Sequence, residues 1–453
     1  MFRSGRQAAT RLPDPAPVGP LIFCKARYRS RPVGQSPKLA PAPRPGLRIK
    51  GRPSALADVH PHHGFPKRMS SADPNRQYSP DPNILERKAA GYLQWRCPGT
   101  AKVREAPPTD AAALRRVERR AVIWAAVAGI ISGGIIGGVE VFVRQGLLEG
   151  FEGLDWQEQL PYWVGFFAFA GVISLIEILF LYWTALHAIA RVSRIAGLAL
   201  SERASEAVAR GLARAALEFP NPRIRVYGID PYALMPNWRI TVRALLYRMK
   251  VGVSSFMLRV LLRRVLGRMA LRGLVPLFTG PLYAVWNAII TWRIIREARV
   301  RALGPAAVEE LVAQIDAEGE EVRREAQEVM LHGVGELMMR GYDAHPNYVL
   351  LLSRLVQKLD PSDPTIEVDW PDKRRQIGDL SQREQALVLD VLTVAGLLGS
   401  KVTGLQKELL REVHADRGLC LRPKAVKRLR TELIEGQHIT REELKAAREP
   451  RSG

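Results

Sequence analysis

Two apolar runs lie close together in this chain, and they leave it few ways to fold. The first, Ala121 to Val139, reads AVIWAAVAGIISGGIIGGV, and the second, Pro161 to Ala190, carries Glu177 as its single charged residue. A hydrocarbon core about 30 Å thick is crossed by about 20 apolar residues of helix. The pair therefore predicts a two-helix transmembrane hairpin over 111–192, with spans of about 121–143 and 161–190. Arg115, Arg116, Arg119 and Arg120 precede the first run, and Arg191 and Arg194 follow the second. The connecting loop carries Glu149, Glu152, Asp155 and Glu158 against Arg144. Basic flanks stay inside, so a multi-pass protein of a bacterial inner membrane is expected, with both termini cytoplasmic.

The first run carries a glycine zipper, with Gly129, Gly133 and Gly137 on one ridge and Gly134 and Gly138 on another. In lipid, helices associate through close backbone approach rather than the hydrophobic effect. The ridges thus predict either a homo-oligomer face or a seam against the second helix. On that helix Ala170, Ser174, Glu177, Thr184 and Ala188 share a narrow stripe, the expected partner of the glycines. A carboxylate near mid-membrane is costly and marks either a proton- or cation-handling site or a hydrogen bond between helices. Both readings of Glu177 stay open.

The formal charge of +22 is unevenly spread. Residues 1–68 hold 14 Lys or Arg against Asp14 and Asp58, so 12 of the 22 excess charges lie there. Residues 1–110 are rich in Pro, Arg and Ala without a sustained apolar period, a composition that predicts disorder. For the first 68 residues a basic tail, an organelle transit peptide and a true start at Met69 compete, and the last is favoured. Leu21–Phe23 is too short for a secretory signal. Cys24, Cys97 and Cys420 are far apart and suggest neither a disulfide framework nor a CxxC site. The His60, His62 and His63 group sits among prolines and is not expected to bind metal. No cofactor is expected.

Residues 193–301 form a basic, membrane-associated region. A helix is expected at about 199–218, before a proline-rich loop. Further on, Leu258, Leu262, Val265 and Met269 recur at helical spacing, and Arg259, Arg263, Arg264, Arg268 and Arg272 fill the other faces. A basic amphipathic helix of this kind suits anionic lipid headgroups. The apolar run 273–292 has the length of a span. Pro276, Gly280 and Pro281 are expected to break it, and arginines flank both ends, so a re-entrant or in-plane segment is preferred to a third span. Trp286 and Trp292 are its expected interfacial anchors.

From 302 a cytoplasmic all-α domain is expected: a helical pair over 302–359, a Pro- and Asp-rich linker over 360–379, and a C-terminal helical unit over 380–453. Three stretches there share one plan. Gly378-x-Leu380-Ser381-x-x-Glu384, Gly399-x-x-Val402-Thr403-x-x-Gln406 and Gly436-x-x-Ile439-Thr440-x-x-Glu443 each place a capping box after a glycine. Helices are expected at 381–398, 403–415, 423–435 and 440–448. This layout resembles the TerB-like helical domain associated with tellurite-resistance and stress proteins, which implies an all-helical fold. The leading acid of that family's D-G-x-[IV]-S-x-x-E loop is absent at Ser400–Lys401, so no metal site is expected. Upstream, the basic helix and the broken apolar run ending Trp286-Asn287-Ala288 look like EcsC-type proteins, a resemblance that implies membrane association.

No G-x-S-x-G elbow, dinucleotide fingerprint or kinase set is present, and Gly396–Lys401 (GLLGSK) lacks Walker-loop spacing. No enzyme is expected. The preferred reading is a scaffold or stress-linked accessory whose cytoplasmic domain meets a protein partner. Two alternatives are a transport component using Glu177 and a membrane-tethered DNA-binding regulator using Lys424, Lys427, Arg428 and Arg430. A solvated basic face is preferred to the last, so nucleic acid is not an expected partner.

Overall fold

The computed structural model describes residues 83–98, 110–143, 155–198, 200, 206–222, 224–236, 238–242, 275–316, 322–359 and 365–450. They are almost wholly helical. The order is α1 (Ile84–Arg96), α2 (Ala111–Phe142), α3 (Trp156–Ile195), α4 (Glu206–Ala216) and α5 (Val275–Asp316). Then come α6 (Arg324–Gly341), α7 (Pro346–Leu359), α8 (Trp370–Gln376), α9 (Gln382–Leu397) and α10 (Gly404–Ala415). A strand β1 (Leu419–Leu421), α11 (Pro423–Glu435), α12 (Arg441–Ala446) and β2 (Arg448–Pro450) close the chain, the two strands pairing antiparallel.

The helices α2 and α3 are long and apolar enough to cross a membrane. Asp110 caps the start of α2, its side chain accepting from the amides of Ala112 and Ala113. The two helices meet across Ile136, Phe166 and Ala170. The main partner of α2, however, is α5. These two run antiparallel, since Arg299 pairs with Glu118 at 2.8 Å while Gly280 lies against Gly133, farther along α2. Contrary to the break expected at Pro276, Gly280 and Pro281, α5 is one helix of 42 residues with Pro281 and Pro305 inside it. An interior proline forfeits one backbone hydrogen bond, and the close packing of α5 along α2 holds the helix together. At 1.5 Å per residue it is about 63 Å long.

That length lets α5 reach three packed regions. Its first half lies among α2 and α3. Its last turns put Val308, Leu311 and Ile315 into the core of the C-terminal domain, with Met330, Leu337, Leu351 and Leu392. Between them lies a third cluster in which Ile295 and Ala298 meet Leu93, Leu114, Ile189 and Leu212. Here α1 corrects the expectation of disorder through residue 110. Ala89, Leu93 and Cys97, spaced by four, are buried, and Glu86 pairs with Arg214 of α4 at 2.6 Å.

The C-terminal domain forms where local signals said it would. Ser381 with Glu384, Thr403 with Gln406, and Thr440 with Glu443 all make reciprocal capping boxes, each satisfying amides that the first helical turn leaves unpaired. Within the linker expected over 360–379 the described residues begin at Thr365, and Ile366 is buried. Asp369 caps α8, and Trp370 is buried over Gly333, where a Cβ would lie 2.9 Å from the indole and 2.5 Å from Leu392.

Candidate functional site

The predicted site residues divide between two places. Gly129, Gly133 and Gly137 are buried on α2, whereas Gly134 and Gly138 are exposed and a Cβ on either would meet nothing within 4 Å. The buried ridge faces α5 and not the stripe on α3. A Cβ at Gly129 would lie 2.6 Å from the Tyr283 carbonyl carbon, and one at Gly133 would lie 2.7 Å from the Gly280 Cα. Glycine permits that approach, and α5 meets it with its own Gly280. The stripe on α3 also reaches α5. Asn287 Nδ2 donates to Glu177 Oε1 at 2.7 Å, with both side chains buried. Ser174 donates to the Ala170 carbonyl at 2.6 Å, and Thr184 is buried. Arg259, Arg263, Arg264, Arg268 and Arg272 lie outside the described residues.

Around this packed interior the bundle shows apolar side chains to its surroundings. Ile130, Ile131 and Ile135 on α2, Val172, Leu175, Ile176 and Leu179 on α3, and Val285 and Ile289 on α5 are all exposed. Trp124, Trp183 and Trp292 are exposed at one end of this belt, within about two helical turns of one level. Past them come Arg119, Arg120 and Arg293.

Beneath Trp292 a cleft of about 990 Å³ opens between α5 and the C-terminal domain. Its wall from α5 is built from Trp292, Arg293, Arg296, Glu297 and Val300. The opposite wall is the loop after α9, Gly399 to Gly404. Arg430 of α11 shapes that loop by donating to the carbonyls of Leu397 at 2.7 Å, Gly399 at 2.9 Å and Ser400 at 2.5 Å. Gly399 is tight, since a Cβ there would lie 3.1 Å from the Tyr348 hydroxyl. Asn347 ties the walls together, its Nδ2 donating to the Val300 carbonyl at 2.9 Å and the Leu398 carbonyl at 3.1 Å.

Six cations and three carboxylates line the cleft. The carboxylates of Glu297 and Asp343 are taken up locally. Glu297 receives Arg301 Nε at 2.8 Å and Ser400 Oγ at 2.9 Å, and lies 3.3 Å from His345. Burial pushes the Glu297 carboxyl up, but Arg301 and His345 more than offset this and hold it well below the usual carboxylate range. Asp343 accepts from Asn221 at 2.7 Å. Among the cations, Arg214 is committed to Glu86 and Arg301 to Glu297. Arg293, Arg296 and Lys401 enter no ion pair among the described residues, and Arg296 lies 4.9 Å over the Trp292 ring. The cleft thus keeps an excess of available positive charge.

On α11, Arg430 is spent on loop carbonyls, and Arg428 pairs with Glu432 at 3.3 Å, while Lys424 and Lys427 are exposed. The cleft escaped sequence reasoning because its walls come from segments about a hundred residues apart. Its two signals were the arginines after Trp292 and the GLLGSK loop, which supplies Ser400 and Lys401. No family model, curated protein or solved structure matches this chain.

Proposed function

We propose that the chain is an integral membrane protein that holds a helical interaction domain against the cytoplasmic face of a bacterial inner membrane. The observation that carries this reading is the exposed apolar belt on α2, α3 and α5, ended by Trp124, Trp183 and Trp292 and then by arginines. A surface of that extent is not left in water, whereas tryptophan and basic residues suit the headgroup level. The spans are 121–143 and 161–190, with both termini inside.

The apolar start of α5 belongs at the same depth. Arg239 lines one open surface cleft with Thr403 and Glu408 of the C-terminal domain, whereas Gly280 lies against Gly133 in the bundle, so α5 runs back from the bundle toward the domain. The re-entrant course expected for 273–292 fits this direction. The domain's role is that of a scaffold or accessory: its walls offer an open surface at the membrane. The Asn287 bond gives Glu177 a packing role within the bundle.

The reading is tested by alkaline carbonate extraction of membranes and by cysteine-accessibility labelling at residues 144–160, at 300 and at the C-terminus. Resistance to extraction, with external labelling confined to 144–160, is expected. Release into the carbonate supernatant or an externally labelled C-terminus overturns it.

A further inference from the structure

We infer that the cleft between α5 and the loop after α9 is a binding site for a phosphate-bearing anion at the membrane surface. Three observations carry this. The cleft has about 990 Å³ of space, enough for a headgroup or a small phosphorylated molecule. Arg293, Arg296 and Lys401 line it from two walls without an ion pair among the described residues, and guanidinium and ammonium groups are the natural donors to phosphate oxygens. Finally, the cleft begins at Trp292, which ends the apolar belt, so in the membrane reading it sits at the depth of lipid headgroups.

The geometry also explains why the anion would be selected by charge. Glu297, the carboxylate nearest those cations on α5, is already satisfied by Arg301 and Ser400 and does not compete for them. Arg430 is half-buried behind the loop, bonded to carbonyls alone, and adds a positive field without a carboxylate partner. The source of the phosphate is either an acidic lipid or a soluble compound. The lipid source rests on the membrane reading proposed above; the soluble source does not.

The test uses the full chain in phosphatidylcholine nanodiscs, with phosphorus NMR line broadening as readout. The probes are short-chain phosphatidic acid, inorganic phosphate and short-chain phosphatidylcholine. Saturable binding of phosphatidic acid is expected, weakened about tenfold or more by Arg293→Gln with Lys401→Gln. Removing equal charge elsewhere, by Lys424→Gln with Lys427→Gln, should change it less than about twofold. Arg296→Gln provides a second variant if the first is poorly folded. Competition by inorganic phosphate assigns a soluble source; its failure to compete assigns the lipid. No saturable binding, or equal loss in the cleft and control variants, overturns the proposal. Carbonate extraction is scored separately. A chain that binds phosphate but is extracted loses the membrane reading and keeps the cleft, and a chain that resists extraction but binds no anion does the reverse.

Discussion

The two halves of α5 pack by opposite rules. From Val308 onward α5 buries Val308, Leu311 and Ile315 in one core with residues of α6 and α7. Before Trp292 the same helix buries a tyrosine, small residues and polar groups, Tyr283, Ala284, Asn287 and Thr291, and exposes Val285 and Ile289. The first pattern is what water enforces. The second is what remains when apolar surroundings remove that force and leave backbone approach and hydrogen bonds to hold helices together. On the membrane reading proposed above, a single unbroken helix records a change of solvent along its length.

The largest effects separate those solvents. Leu351, fully buried in α7, should cost about 2–5 kcal/mol when replaced by alanine, read as a fall in Tm of the full chain in detergent. Ile131, 56 % exposed on α2, should tolerate alanine with little change. Its replacement by aspartate should instead oppose insertion by about 2.5–3.5 kcal/mol, read as loss of carbonate-resistant protein. If Ile131→Asp inserts normally and Ile131→Ala destabilises as Leu351→Ala does, α2 is a core helix in water and the comparison collapses.

At His414, acidification probes the core of the C-terminal domain. His414 of α10 is fully buried, its Nδ1 donates to the Leu410 carbonyl at 2.7 Å, and its Nε2 has no partner among the described residues. Burial pushes its pKa down to about 4, against about 6.5 in an unfolded chain. Between those values the unfolded chain binds more protons, so stability falls as pH drops from about 6.5 to about 4, by up to about 3 kcal/mol. Across that window Tm of the wild-type chain should fall more than that of His414→Leu. Equal slopes would mean that the imidazole is not held neutral.

The glycine ridges sharpen the other half. An alanine at Gly133 must displace Gly280 or Tyr283 and should cost about 1–3 kcal/mol. An alanine at Gly134 meets open space and should gain up to about 1 kcal/mol from helix propensity. Loss of stability at Gly134 as well would mark the exposed ridge as a contact between copies, and the oligomeric state by light scattering should then change with it.

What could be read from the sequence was what is local. A capping box needs four consecutive residues, and the three written at Ser381, Thr403 and Thr440 all form. The two long apolar runs were equally plain, because helix length is a property of the run itself. Partnerships were not legible. Five glycines on α2 divide into a buried and an exposed ridge only because α5 passes on one side. Nothing near them announces a partner about 150 residues away, behind two prolines that ordinarily break helices. The α1 helix was hidden by its setting, since a short Ala89–Leu93–Cys97 spacing carries little weight beside a long Pro- and Arg-rich stretch. The cleft was less legible still, because it is made by the docking of the domain on α5.

The smallest effect bears most directly on what the bundle is for. In apolar surroundings an interhelical hydrogen bond is worth about 0.6 kcal/mol on average and about 1.7 at most, because unpaired polar groups find other partners. The Glu177–Asn287 pair should therefore show a coupling energy of that size in a double-mutant cycle of Glu177→Leu and Asn287→Leu, measured by Tm in one lipid mixture. Glu177→Gln keeps an acceptor oxygen for Asn287 and should behave as wild type both in stability and in any growth phenotype of a deletion strain. A Gln variant that is as stable as wild type but fails to complement would separate structure from function at this position. It would show that the ionisable carboxyl of Glu177, and not merely its hydrogen bond, is in use, and would turn the reading from anchor to transporter.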